Sequence, residues 1–370
     1  MSKLLTKFAI YVLIIVFAIS IVNYKVDPAN IFHFDVVDEM VEALSKGEFV
    51  IADNDIDEGY FKKQMIPCIN FTPKTVIIGS SHIMYIDWER LYVDTLNAGM
   101  SGAFLGEYYA VVGMLKANNI IPDRIIFGVD AWAFTRNAEL LRHTTLNNYA
   151  YYARSLVKGE DVSYSDYDIE TNKRDINKYK ELFSFTYFQS SIRNICNNGI
   201  LYYFDSNDTT SRIEICEDDK ADDSAEKITP SMRYIMPTSN YGTVEQNDLA
   251  ADRQINPPNV YQIGTEYIQL DKNNYNEFIE LIDYLLAEGI DVSFYLPSYY
   301  PSMYDLFMND KSFQGVIEVE EVTRRIAMER GIEVHGSYNP YEAGVTKEDF
   351  ADVLHMKPDV MLDNYLYMRD

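Results

Sequence analysis

Four short runs rich in β-branched and aromatic residues constrain this chain most, because each is bounded by a residue that breaks regular structure. TVII (75–78) ends at Gly79, RIIF (124–127) ends at Gly128, VSFYL (292–296) stops before Pro297, and IEV (332–334) follows Gly331. Helical spacing occupies about 102–117, 275–287 and 313–329, so strands and helices alternate. Alternation of this kind specifies an α/β domain with a mostly parallel sheet and helices on both faces. The 370 residues are 47% apolar and 14% aromatic, enough for one large core or two and incompatible with disorder throughout.

At the amino terminus, Lys3 and Lys7 precede the uninterrupted apolar run Phe8–Val22, which Leu4, Leu5 and Tyr24 extend. With those extensions the run reaches the roughly 20 residues needed to cross a bilayer. The positive-inside rule then places residues 1–24 as a cytoplasmic tip and membrane anchor, with everything after about residue 25 outside. A cleaved signal peptide is the competing reading, with Ala18 and Ser20 as its small residues. Residues 25–73 are acidic and loosely patterned apart from an amphipathic stretch at 37–44, and read as a stalk leading into a domain at 74–370.

Within that domain, 136–265 breaks the alternation and reads as an insertion. It holds the Tyr-rich 149–152, expected to pack against the main sheet, and the acidic run 217–226, expected to be a solvated loop. The formal charge of −25 would repel phosphate backbones and anionic lipid headgroups, which argues against nucleic acid and makes a strongly anionic polymer a poor partner unless cations intervene. Cys68, Cys196 and Cys216 lack C-x-x-C spacing and only five histidines are present, so metal-independent chemistry without a cofactor is expected. Export would permit a Cys196–Cys216 bridge, and the odd count leaves no disulfide framework.

Ligands of open parallel sheets bind at the carboxyl ends of strands, which directs attention to GSSH (79–82) and GVDAW (128–132). Gly79 lets the chain turn off its strand and present a serine at a helix start. A serine nucleophile needs a base, and the base an orienting acid; DVLH (352–355) carries Asp352 and His355 three residues apart. For an isolated Ser-Ser pair, strand termination and helix capping is the plainer role. His33, His143 and His335 lie in no acid-bearing motif.

On GSSH, LNAGMSG (96–102) and DVLH the chain resembles the SGNH (GDSL-like) hydrolases. The resemblance is closest to the branch containing the D-alanyl-lipoteichoic acid transfer protein and bacterial polysaccharide O-acetylation proteins. It covers about 74–132 and 273–361 and leaves the insertion unassigned. It implies a flavodoxin-like three-layer fold, with Ser81 as nucleophile, His355 as general base and Asp352 as its orienting acid. The N–H groups of Ser81 and Gly99 would receive the oxyanion. The family's third block ordinarily has Asn where this chain has Asp130, and an ionised carboxylate cannot donate to an oxyanion. Asn97 is the substitute donor expected here, with Asp130, Trp132 and His82 on the substrate side. The implied activity is esterase or O-acyl transfer on a cell-surface polysaccharide or teichoic acid, with a membrane-bound O-acyltransferase as partner. A non-catalytic binding or assembly protein for polymer modification is the alternative.

Overall fold

The structure, a computed structural model, describes residues 2–28, 32, 35–52, 56–134, 143–168, 175–204, 213–216, 225–255 and 270–367. Nine strands are present among them: β1 (Phe49–Ala52), β2 (Thr75–Ile78), β3 (Thr95–Asn97), β4 (Arg124–Gly128), β5 (Ile213–Cys216), β6 (Lys227–Ile228), β7 (Tyr234–Ile235), β8 (Asp291–Leu296) and β9 (Glu333–Gly336).

The four apolar runs form β2, β4, β8 and β9 of a parallel five-stranded sheet ordered β3-β2-β4-β8-β9. Counted within this sheet, the order is 2-1-3-4-5, the doubly wound arrangement whose direction of winding reverses between its first and third strands, here β2 and β4. Their ends are level, since Ile78 pairs with Phe127. Every β2 residue is buried, which explains why the run shows no polar alternation. Helices Leu105–Ala117, Lys272–Ala287 and Gln314–Arg330 fall where helical spacing places them. Phe278 meets Phe127 and Phe294 at ring-centroid separations of 6.0 and 5.5 Å, and burial of each such ring contributes about 1.5–3 kcal/mol.

Residues 25–73 are not a free stalk. Helix Asp35–Ser45 buries Val36, Val37, Met40 and Leu44, and β1 pairs antiparallel with β5 and β6. The resulting sheet, β5-β1-β6-β7, joins the entry segment to the insertion. Helix Glu58–Met65 then carries Lys62 into the interior, where Nζ donates to the Asn97 carbonyl at 2.9 Å and more weakly to that of Met232 at 3.4 Å. Burial lowers the Lys62 pKa to about 7, with Glu58 acting in the opposite direction.

Of the Tyr-rich segment, Tyr149 and Tyr152 are buried, Tyr149 stacking on Tyr164 at 4.3 Å, while Tyr151 is exposed. Most of the acidic run, 217–224, lies outside the described residues, as does His33. No disulfide joins Cys196, on the surface, to Cys216, buried in β5. Among the described residues one helix, Thr6–Val26, is long and apolar enough to cross a membrane, and it stands largely clear of the rest of the chain.

Candidate active site

The site forms at the ends of β2 and β4, where the sheet reverses its winding. Gly79 and Gly128 allow a close approach there: a Cβ on Gly79 would sit 2.8 Å from the Gly128 carbonyl oxygen, and one on Gly128 only 2.4 Å from Ile83 Cγ2. Ser80 caps the turn that follows, its Oγ accepting the His82 N–H at 3.1 Å. Capping by Ser80 places Ser81 at the first helical position, partly exposed.

The carboxyl-terminal motif arrives on a closed loop. Phe350 bridges Met356, the Ala351 N–H donates to the His355 carbonyl at 2.8 Å, and the Lys357 N–H donates to that of Asp349 at 2.8 Å. Inside the loop Asp352 Oδ1 accepts the N–H groups of Leu354 and His355 at 2.7 and 2.8 Å, an Asx-type turn that fixes the carboxylate. His355 Nδ1 lies 2.8 Å from Asp352 Oδ2, and His355 Nε2 lies 2.9 Å from Ser81 Oγ. Hydroxyl, imidazole and carboxylate thus stand in line across 274 residues of sequence. Burial raises the Asp352 pKa, but the His355 ring and the two backbone donors outweigh it, and the net shift is downward.

The remaining expected residues are placed differently. Asn97 does not face the triad hydroxyl as a donor: its amide donates to the carbonyls of Ile83 and Met84 at 3.3 and 3.1 Å. Its Oδ1 accepts the Gly99 N–H at 3.1 Å, which occupies the backbone donor expected at Gly99. The pair braces the Ser81 turn from beneath, satisfying buried polar groups. His82, Asp130 and Trp132 are 5%, 1% and 4% exposed, so they form a wall behind the triad and not a substrate-contacting surface. Asp130 Oδ1 meets His82 Nδ1 at 2.7 Å, and the Trp132 indole donates to the Ala103 carbonyl at 2.8 Å. The His82 ring packs edgewise on both Trp132 and His355, with centroids 5.2 and 5.6 Å apart.

Three residues near this site escape sequence reasoning. Tyr85 stacks edgewise against His355 at 5.7 Å and donates to Glu226 at 3.2 Å. Burial raises Glu226 to a pKa of about 6, with Tyr85 opposing the shift and Glu58 adding to it. Glu58 accepts both the backbone N–H and the hydroxyl of Ser101 at 2.6 Å. Glu58 precedes β2 and Glu226 lies in the insertion, and no motif ties either to Ser81.

No protein-family model matches the chain, and no curated protein matches it.

Proposed function

We propose that the chain is a membrane-anchored, extracytoplasmic serine acyltransferase or esterase of SGNH type, acting on O-acyl groups of a cell-surface glycopolymer. The observation that carries this reading is the line from Ser81 Oγ through His355 to Asp352, at 2.9 and 2.8 Å. Strand order and the loop-borne carboxyl-terminal pair agree with the resemblance of GSSH and DVLH to that family. Lys3 and Lys7 before the apolar helix support an orientation with the domain on the outer face, by the positive-inside rule.

In this mechanism Asp352 holds the His355 tautomer with its proton on Nδ1, leaving Nε2 to take the Ser81 hydroxyl proton as Oγ bonds to the acyl carbon. The tetrahedral oxyanion is received by the Ser81 N–H at the start of the helical turn. Such a donor is worth about 3 kcal/mol at the transition state. His355 then gives its proton to the departing oxygen, the carbon–oxygen bond breaks, and an acyl-serine remains. Water, or a polymer hydroxyl deprotonated by His355, attacks the acyl carbon and releases Ser81. Resemblance supplies the remaining expectation, a membrane-bound O-acyltransferase that delivers the acyl group.

The alternative, a binding or assembly protein, draws on Asp130, which stands where a donor is ordinarily found. Turnover of p-nitrophenyl acetate by the full chain in nanodiscs separates the two, because a Ser81→Ala variant with the wild-type rate removes the serine mechanism.

A further inference from the structure

The inserted segment from Asp175 to Phe204 is bound to the outer end of the apolar amino-terminal helix. Asn23, buried in its last turn, donates through Nδ2 to the carbonyls of Glu181, Leu182 and Ser184 at 3.0, 3.1 and 3.1 Å. Its Oδ1 accepts the Ser191 hydroxyl at 3.2 Å, and the Tyr187 hydroxyl donates to Asp27 at 2.6 Å. Phe32 joins the two parts, packing against Tyr24, Tyr179 and Tyr187. The segment is therefore a collar fixed at the point where the membrane-length helix ends.

The outer surface of the collar is apolar. Phe183 and Phe185 are 62% and 64% exposed, Ile200 is 59% exposed, and Ile192 and Phe204 are also exposed. On helix Phe185–Asn198 the residues Phe185, Ile192 and Cys196 share the exposed side, while Tyr187 and Ser191 face inward. Across 175–204, Lys178, Lys180 and Arg193 stand against Asp175 and Glu181, so the segment is near neutral in a chain whose formal charge is −25. Exposed aromatics and aliphatics at the end of a span, without the acidic excess of the rest of the chain, are the composition that settles into a headgroup boundary.

We infer that the collar is an interfacial membrane-binding surface that lies on phospholipid around the foot of the anchor and holds the domain at a fixed height above the bilayer. The inference rests on the anchored reading and not on the acyl chemistry, and its occupant is lipid, because the exposed apolar surface continues that of the span. The test uses the full chain with Cys68→Ser, leaving Cys196 as the exposed thiol for an environment-sensitive nitrobenzoxadiazole label. The labelled protein is reconstituted into vesicles of phosphatidylcholine and phosphatidylglycerol containing shallow spin-labelled lipid, and vesicle flotation is scored in parallel. The expected result is flotation with blue-shifted emission quenched about twofold or more, and loss of the quenching in Ile192→Asp/Arg193→Glu with flotation retained. Flotation with water-like, unquenched emission would overturn the collar while sparing the anchor, and would assign the face to a protein partner, since these vesicles hold only lipid. Failure to float would overturn both, and leaves esterase turnover as a separate question.

Discussion

Replacing Asp352 with Asn changes the chemistry of the triad while leaving its scaffold in place. The Asn carbonyl oxygen can still accept the N–H groups of Leu354 and His355, which Asp352 Oδ1 holds at 2.7 and 2.8 Å. The second atom becomes an NH2 facing His355 Nδ1, where the carboxylate oxygen stood at 2.8 Å. The retained oxygen, 3.0 Å from Nδ1, is already engaged by two backbone N–H groups, so Nδ1 accepts from the NH2, the ring proton moves to Nε2, 2.9 Å from Ser81 Oγ, and the base can no longer take the serine proton. A tautomer error of this kind costs about 10³–10⁴ in kcat, or about 4–5.5 kcal/mol of activation free energy. The melting temperature should move by no more than about 4 °C, because the turn that carries the residue keeps its backbone bonds. The assay is p-nitrophenol release from p-nitrophenyl acetate by the full chain in nanodiscs, paired with a thermal melt. A folded Asp352→Asn variant within tenfold of wild type would refute the assignment of Asp352.

His82→Phe keeps the packing on Trp132 and removes the ring nitrogens. It leaves the buried Asp130 carboxylate without its partner at 2.7 Å, so denaturant unfolding should show a loss of about 3–5 kcal/mol, and a wild-type midpoint would contradict the buried pair. Gly128→Ala forces a Cβ to 2.4 Å from Ile83 Cγ2, so the site turn must shift; a loss of about 1–3 kcal/mol in denaturant unfolding together with reduced turnover is expected, and a wild-type midpoint would contradict the close approach. Lys62 has a folded pKa of about 7 against an ordinary 10.5, so between these values the unfolded chain binds the extra proton and stability rises with pH. From pH 7.5 to 9 the rise should be about 2 kcal/mol and should flatten in Lys62→Met; parallel curves for the two proteins would contradict the buried ammonium.

Features of the fold that depend on local pattern were legible in the sequence. TVII and RIIF read as buried parallel strands because each is apolar and stops at a glycine, and DVLH places its two side chains on one turn. Features assembled from distant pieces were not. β3 is only Thr95–Asn97, too short and polar to announce a strand, and it is held by pairing with β2. β1 finds its partners more than 160 residues later, so residues 25–73 looked like a stalk. Asn97 and Gly99 have the residue types of oxyanion donors, but hydrogen-bond direction decides the matter, and their polar groups are spent on each other and on Ile83 and Met84. Asp130 is answered by His82, a neighbour of the nucleophile that sequence proximity alone would not aim at it.

Fluorophosphonate labelling of the full chain in nanodiscs, with the modified peptide located by mass spectrometry, tests the serine mechanism most directly. The adduct should form on Ser81 and fall by at least about 10³ in rate in His355→Ala, since the base 2.9 Å away supplies the activation. A Ser81 left unmodified while the domain stays folded, or a labelling rate indifferent to His355, would contradict it.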